Sequence, residues 1–179
     1  MAHGLFGTFT CPLDEKNRAV LPATLRESVS LEKLRDGFWI TRGFEGCLMM
    51  FLREDWRRVT EKVDKLAFTN PQVRLFKRLF LTPAEAVQLD RVGRVSLSET
   101  HRGLAGIDRE LVFNGGGSYV EIWAPERWAR YCADHQAEFE EVAAKLLDGL
   151  YGEPETPASD LAKADPPNGG MSKGEKRGD

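Results

Sequence analysis

The chain has 179 residues, 41% of them hydrophobic and 30% charged, and none of its apolar runs is long enough to span a bilayer, so the composition is that of an ordinary soluble protein and no membrane span is expected. The three cysteines, Cys11, Cys47 and Cys132, are odd in number and far apart, which argues against a disulfide framework or a zinc ribbon; with no secretory pattern at the N-terminus, a reducing cytoplasm is expected. The net charge of −3 counts against a wholly basic nucleic-acid surface, but residues 153–179 hold six Asp/Glu against four Lys/Arg, so the body is near neutral and any DNA contact must come from locally clustered cations.

The first predicted element is a strand in which Phe9, Cys11 and Leu13 alternate onto one face. A polar turn follows at Asp14–Asn17, and a second strand starts at Arg18. Asn17 is suited to a positive φ. A short helix begins near Pro22, since proline fits a first helical turn, and ends near Arg26. Two strands, Phe38–Arg42 and Cys47–Leu52, are joined by the hairpin turn Gly43-Phe44-Glu45-Gly46. Trp56, Val59, Val63 and Leu66 then recur at helical spacing as one apolar stripe.

Asn70-Pro71 opens a connecting helix. Its buried side is expected to be Val73, Phe76, Leu79 and Phe80, and its basic side Arg74, Lys77 and Arg78. That basic side is read as solvated or as a subunit contact, with DNA contact the lesser alternative.

After this helix the pattern starts again. Leu13-Asp14-Glu15-Lys16-Asn17-Arg18 matches Leu89-Asp90-Arg91-Val92-Gly93-Arg94 at an offset of 76, which holds through Leu21/Leu97 and Arg26/Arg102. The offset then becomes 72, pairing Gly43 with Gly115, Phe51 with Trp123, Glu54 with Glu126 and Trp56 with Trp128, as one four-residue deletion between Arg102 and Leu111 would give. Copy two has a strand bearing Val87 and Leu89, a turn in which Gly93 does the backbone work of Asn17, a strand from Arg94, and a helix capped by Ser98. Strands Glu110–Asn114 and Ser118–Trp123 flank Gly115-Gly116-Gly117, which lies between strands and so reads as a hairpin turn, not a phosphate loop. Pro125 opens a last helix whose stripe, Trp128, Tyr131, His135, Phe139, Val142, Leu146 and Leu150, runs to about residue 150. The segment 152–179 is poor in apolar residues and reads as a disordered tail.

The chemistry-bearing residues sit in the two turns and at the ends of the two short helices. Lys16, Arg18 and Arg26 in copy one, and Arg91, Arg94 and Arg102 in copy two, make small positive surfaces. A guanidinium fork can hold a phosphate or the O6/N7 edge of guanine bidentately. The alternative is that Asp14 pairs with Arg18, and Asp90 with Arg94, only to fix the loops. His101 and His135 lack partners at metal-ligand spacing and are read as structural, while Trp56 and Trp128 are read as core or subunit-contact anchors.

The duplicated Leu-Asp-x-x-x-Arg turn, short helix ending in arginine, glycine hairpin and Glu-x-Trp helix resemble the MraZ family over about residues 5–150. The resemblance implies an α+β fold: two tandem AbrB-like swapped-hairpin β modules that form an intrachain pseudo-dimer, with flanking helices. The modules are expected at 5–66 and 83–151, joined by a basic helix at 67–82. It implies a transcriptional regulator of the cell-division and cell-wall gene cluster that binds short direct repeats in promoter double-stranded DNA. The partners are that DNA and other copies of the chain, in a homo-oligomeric ring (an octamer), cytoplasmic and nucleoid-associated; no cofactor, metal or catalytic residue is implied. Arg18/Arg94 and Arg26/Arg102 match the family's DNA-facing positions. Asn17 stands where members usually have glycine, Ser98 replaces the counterpart of Pro22, His101 replaces an apolar residue, and Ala2-His3-Gly4 is an added piece. The acidic composition leaves a second reading, a ring-shaped scaffold that binds proteins. An enzyme is not expected, because neither a Ser/His/Asp nor a Cys/His arrangement is evident.

Overall fold

The computed structural model describes residues 4–151; the expected disordered tail and most of the N-terminal piece lie outside the described residues. They divide into two compact units at Gln136/Ala137. The first unit holds β1 (Leu5–Pro12), β2 (Arg18–Val20), α1 (Ala23–Glu27), α2 (Leu31–Asp36), β3 (Phe38–Arg42), β4 (Leu48–Leu52), α3 (Arg53–Asp64) and α4 (Pro71–Leu81). These are followed by β5 (Glu85–Val87), β6 (Arg94–Ser96), α5 (Glu99–Ala105), β7 (Glu110–Gly117), β8 (Tyr119–Trp123) and α6 (Pro125–His135). The second unit is α7 (Phe139–Tyr151).

Six strands form one antiparallel sheet in the order β1-β7-β8-β4-β3-β5, and β2 pairs with β6 separately. Copy two's β5, β7 and β8 correspond to copy one's β1, β3 and β4, so the strand order reads the same from either edge. Each copy's first strand therefore lies against the other copy's hairpin, β1 on β7 and β5 on β3. This is the swapped-hairpin arrangement, closed within a single chain. Met49 pairs with Glu121 and Ala19 with Val95, and each pair joins a residue to its own repeat counterpart. A pseudo-twofold axis thus passes through both pairs.

The strand sequences explain the layering. In β4 all five residues are buried: Leu48, Met50 and Leu52 face one cluster, and Met49 and Phe51 face another. A strand covered on both faces carries a continuous apolar run instead of alternating. The first cluster is shared by both copies, with Leu21, Leu25, Phe38 and Ile40 beside Leu97, Leu111, Phe113 and Ile122. On the opposite face Trp56 of α3 stacks on Trp39 with ring centroids 5.6 Å apart, and packs against Phe80 of α4. In copy two Trp128 of α6 meets Trp123 at 5.5 Å. Both tryptophans anchor helices to the sheet; such aromatic pairs contribute about 0.5–1.5 kcal/mol each beyond the area they bury.

Several boundaries differ from those the sequence suggests. Strand register makes the repeat offset 73 in β3/β7, where Phe38 and Ile40 correspond to Leu111 and Phe113, and 72 in β4/β8. The four-residue deletion is therefore three residues plus one, and Arg42, not Gly43, holds the place of Gly115. The three-residue part falls where copy one carries α2, an element not predicted although Ser30 caps it and Gly37, at φ 84°, ends it. Its apolar content is small, and Leu31 is exposed.

All three glycines belong to β7, because β1 extends along them: Leu5, Phe6 and Gly7 pair with Gly117, Gly116 and Gly115. A Cβ on Gly115 would stand 2.5 Å from the Leu5 carbonyl oxygen, so the sheet contact requires glycine there. In α4, Phe80 is buried and Phe76 packs against it, but Leu79 is exposed. Leu66 lies beyond α3 and is likewise exposed. The final helix is interrupted by a 3-10 turn at Gln136–Glu138, and Phe139, Val142 and Leu146 of α7 are exposed.

Candidate nucleic-acid interface

Each Asp-x-x-x-Arg turn is built by its aspartate. Asp14 Oδ1 accepts the backbone N–H groups of Lys16 at 2.9 Å and Arg18 at 3.0 Å, while the Asp14 carbonyl accepts Asn17 N–H at 2.9 Å. Asp90 Oδ1 accepts Val92 N–H at 3.0 Å and Arg94 N–H at 2.9 Å, and its carbonyl accepts Gly93 N–H at 2.9 Å. A short carboxylate can close such a turn on its own backbone. The residue before each arginine has positive φ, 57° at Asn17 and 82° at Gly93, as the sequence suggests.

The second oxygens connect the copies. Asp14 Oδ2 accepts Arg18 Nε at 2.9 Å and lies 2.7 Å from Nη2 of the same guanidinium. It also accepts Arg94 Nη1 at 3.3 Å. Asp90 Oδ2 accepts Arg94 Nε at 2.7 Å and stands 3.7 Å from Arg18 Nη1. Two turns that are 76 positions apart in sequence thereby become one cluster of two carboxylates and two arginines. The Arg18 hydrogen bond holds the Asp14 carboxyl down at about 2. Asp90 is also lowered, first by the Arg94 backbone N–H and then by its side chain. The guanidinium of Arg18 is raised by the Asp14 hydrogen bond.

The arginines are neither sealed in nor free. Side chains of Arg18 and Arg94 keep 27% and 29% of their surface accessible, so each pairs with carboxylate while retaining an outward face. The loop-fixing pairs that the sequence allowed are therefore present, and they extend across the two copies.

Lys16 and Arg91 are exposed at the turn tips. Arg26 Nε donates to the Leu21 carbonyl at 2.9 Å, and its guanidinium abuts Gly93. Arg102 is half-buried, and its Nε is buried without a hydrogen-bond partner. Two backbone joints hold each helix start to the opposite turn, Leu21 N–H to the Gly93 carbonyl at 2.9 Å and Leu97 N–H to the Asn17 carbonyl at 3.0 Å. No sequence signal marks these joints, because they join backbone groups of different copies. Within the two turns Lys16, Arg18, Arg91 and Arg94 stand against Asp14, Glu15 and Asp90, and Arg26 reaches the second turn at Gly93. A chain of net charge −3 carries a local excess of positive charge here.

The basic side of α4 is partly occupied. Arg74 donates to the carbonyls of Phe68 and Thr69 at 2.9 and 2.8 Å, and Lys77 lies 3.7 Å from Asp64. Both histidines among the described residues are engaged by the fold: His101 Nε2 lies 2.8 Å from the Pro83 carbonyl, and His135 Nδ1 lies 2.9 Å from that of Tyr131. No helix among the described residues is long and apolar enough to cross a membrane.

A tandem AbrB-like pseudo-dimer with paired arginine turns at its axis is thus the class that fold and site define. The family model described as MraZ protein matches the chain twice, over residues 5–79 and 80–150. The protein named Transcriptional regulator MraZ of Carboxydothermus hydrogenoformans is 39% identical over 144 residues, covering 80% of this chain and 97% of its own length. Those of Heliobacterium modesticaldum and Leifsonia xyli are each 37% identical, covering 79% and 81% of this chain and 96% and 98% of their own lengths. The chain belongs to the MraZ family. The names of these relatives describe a regulator of transcription, not an enzyme.

Proposed function

We propose that this chain is a sequence-specific, DNA-binding transcriptional regulator that uses the Arg18/Arg94 cluster as the centre of its contact. The observation that carries the reading is the joining of two arginine-bearing turns across the pseudo-twofold axis, each guanidinium braced by carboxylate and still partly accessible. A braced fork loses less conformational entropy on contact than a free lysine. Arg18 and Arg94 read base edges, Lys16 and Arg91 grip phosphates and fix position, and Arg26 and Arg102 flank them. The target is double-stranded promoter DNA bearing short direct repeats, at the cell-division and cell-wall gene cluster. The organisation is a first module at 5–66, a connecting helix at 67–82 and a second module at 83–151. A contact surface with so few cations binds weakly alone, so a ring of copies, an octamer, supplies the affinity by engaging successive repeats. Such a protein acts in the cytoplasm at the nucleoid.

The test is binding to a duplex taken from upstream of the protein's own gene, at two salt concentrations. Affinity is expected to fall steeply with salt, by about 0.9 log units per log unit of salt for each phosphate neutralised. Arg18→Ala and Arg94→Ala are each expected to weaken binding at least about tenfold, the loss of one bidentate contact, with oligomer size unchanged. Parent-like binding by both variants would refute the site. A second reading, a ring-shaped protein-binding scaffold, draws on the exposed apolar Phe139, Val142 and Leu146; it is favoured if duplex affinity shows no salt dependence.

A further inference from the structure

Two apolar surfaces among the described residues take no part in the proposed DNA contact. The first is a groove of about 280 Å³ beside the β3–β4 hairpin, lined by Arg42, Phe44 and Glu45 on one side and by Phe76, Leu79 and Phe80 of α4 on the other. Phe76 and Phe80 pack inward with Trp56, whereas Phe44 and Leu79 are exposed. Leu75, one helical turn before Leu79, extends the same exposed ridge. Glu45 is the one acidic residue of the lining. Against it stand Arg42 and Arg78, both exposed, and α4 carries Arg74, Lys77 and Arg78 with no acidic residue.

The second surface is the stripe of α7, where Phe139, Val142 and Leu146 recur three and four residues apart and are all exposed. Val73, Phe76 and Phe80 of α4 have the same spacing, and there Phe76 and Phe80 are spent on the cluster around Trp56. The charge beside the α7 stripe has the opposite sign from that of α4. Glu138, Glu140 and Glu141 stand at the start of the helix, and Lys145 pairs with Glu141 at 2.6 Å. Exposed apolar patches rimmed by charge mark protein contacts. An acidic helix is repelled by phosphate, and a groove with exposed phenylalanine and leucine offers it little. The basic groove and the acidic stripe complement each other, and one chain carries both.

We propose that copies of this chain join head to tail, with the Phe139/Val142/Leu146 stripe of one copy seated in the Phe44/Leu79 groove of the next and the acidic start of α7 toward Arg42 and Arg78. The proposal rests on the ring reading above and deepens it by naming both faces of the subunit contact. Two unlike patches joined through one contact leave one groove and one stripe open. Further copies therefore add until the rotation between neighbours closes the assembly. The opposite charges fix which face meets which and oppose the pairing of stripe with stripe or groove with groove.

The experiment measures mass in solution by light scattering for the full chain, a groove variant (Leu79→Glu), a stripe variant (Val142→Glu) and their equimolar mixture. Circular dichroism of each monitors folding. Both substitutions fall on exposed positions, so the spectra of the parent and the variants are expected to coincide. The parent is expected to form a large oligomer, and each variant alone to have the mass of a single chain. The mixture separates a contact between unlike faces from one between like faces. Leu79→Glu keeps its stripe and Val142→Glu keeps its groove, so together they make one productive contact, which doubles the mass and goes no further. A second pair, Phe44→Ser and Leu146→Ser, probes the same two faces at other exposed positions and is expected to give the same masses. Parent-sized assemblies in either variant would overturn the inference. So would variants that still pair with themselves, or folded variants whose mixture stays monomeric. A parent chain no larger than a dimer would fail the ring reading itself and remove the inference with it.

Discussion

At Asp14 a single carboxylate divides its work between its two oxygens. One closes the turn on the backbone of Lys16 and Arg18, and the other meets guanidinium groups from both copies. The arginine hydrogen bond lowers the Asp14 carboxyl to about 2 from an ordinary value of 3.8. A carboxylate with a depressed folded-state pKa stabilises the fold above its unfolded value, and that contribution is lost as pH falls through the folded value. Between about pH 4 and pH 2 the parent is therefore expected to lose more stability than Asp14→Asn, which keeps an oxygen for the turn but has no charge to titrate. Urea unfolding at steps across that window checks this, and parallel curves for the two proteins would contradict it. Asp90 is lowered in the same direction, so the double substitution should flatten the acid limb further.

Among the elements, α5 shows how local chemistry and tertiary packing combine. Ser98 Oγ accepts His101 N–H at 3.2 Å and donates to Glu85 Oε1 at 2.9 Å, so one hydroxyl caps the helix and ties it to β5. Ser98→Ala is expected to cost about 1 kcal/mol, the usual value for a lost N-cap, read as a lower urea midpoint with unchanged slope. No loss would mean that the cap is redundant with the burial of His101 and Ala105 on the same helix. The cap, the Asn70 cap of α4 and the helix-opening Pro71 and Pro125 are visible in the sequence because they act within a few residues. The extent of β7 is not visible. Glycines read locally as a turn, and only the arrival of β1 alongside them makes them strand.

For the whole molecule the exchange of strands is decisive. The outer partner of β3 is β5 of the other copy, and that of β7 is β1, while the main core takes buried side chains from both. Separating the halves, for example at residue 82, exposes the edges of β3 and β7 and opens the shared core. Each half is thus expected either to remain unfolded or to pair with its own kind, and light scattering with circular dichroism on the two fragments distinguishes these outcomes. A folded monomeric half would contradict the swapped arrangement.

The sequence by itself determined the duplication, the turn chemistry and most strand and helix positions, because each is encoded by short-range pattern or by the repeat. The tertiary structure alone decided which copy pairs with which, the sharing of Asp14 between Arg18 and Arg94, the split of the repeat offset, and the acceptor that Arg26 Nε finds and Arg102 Nε lacks. Those outcomes depend on contacts between groups far apart in the chain, 74 to 78 positions in β2/β6 and 98 to 112 in β1/β7, whose mutual geometry is set by the register of the sheet and carries no local signature.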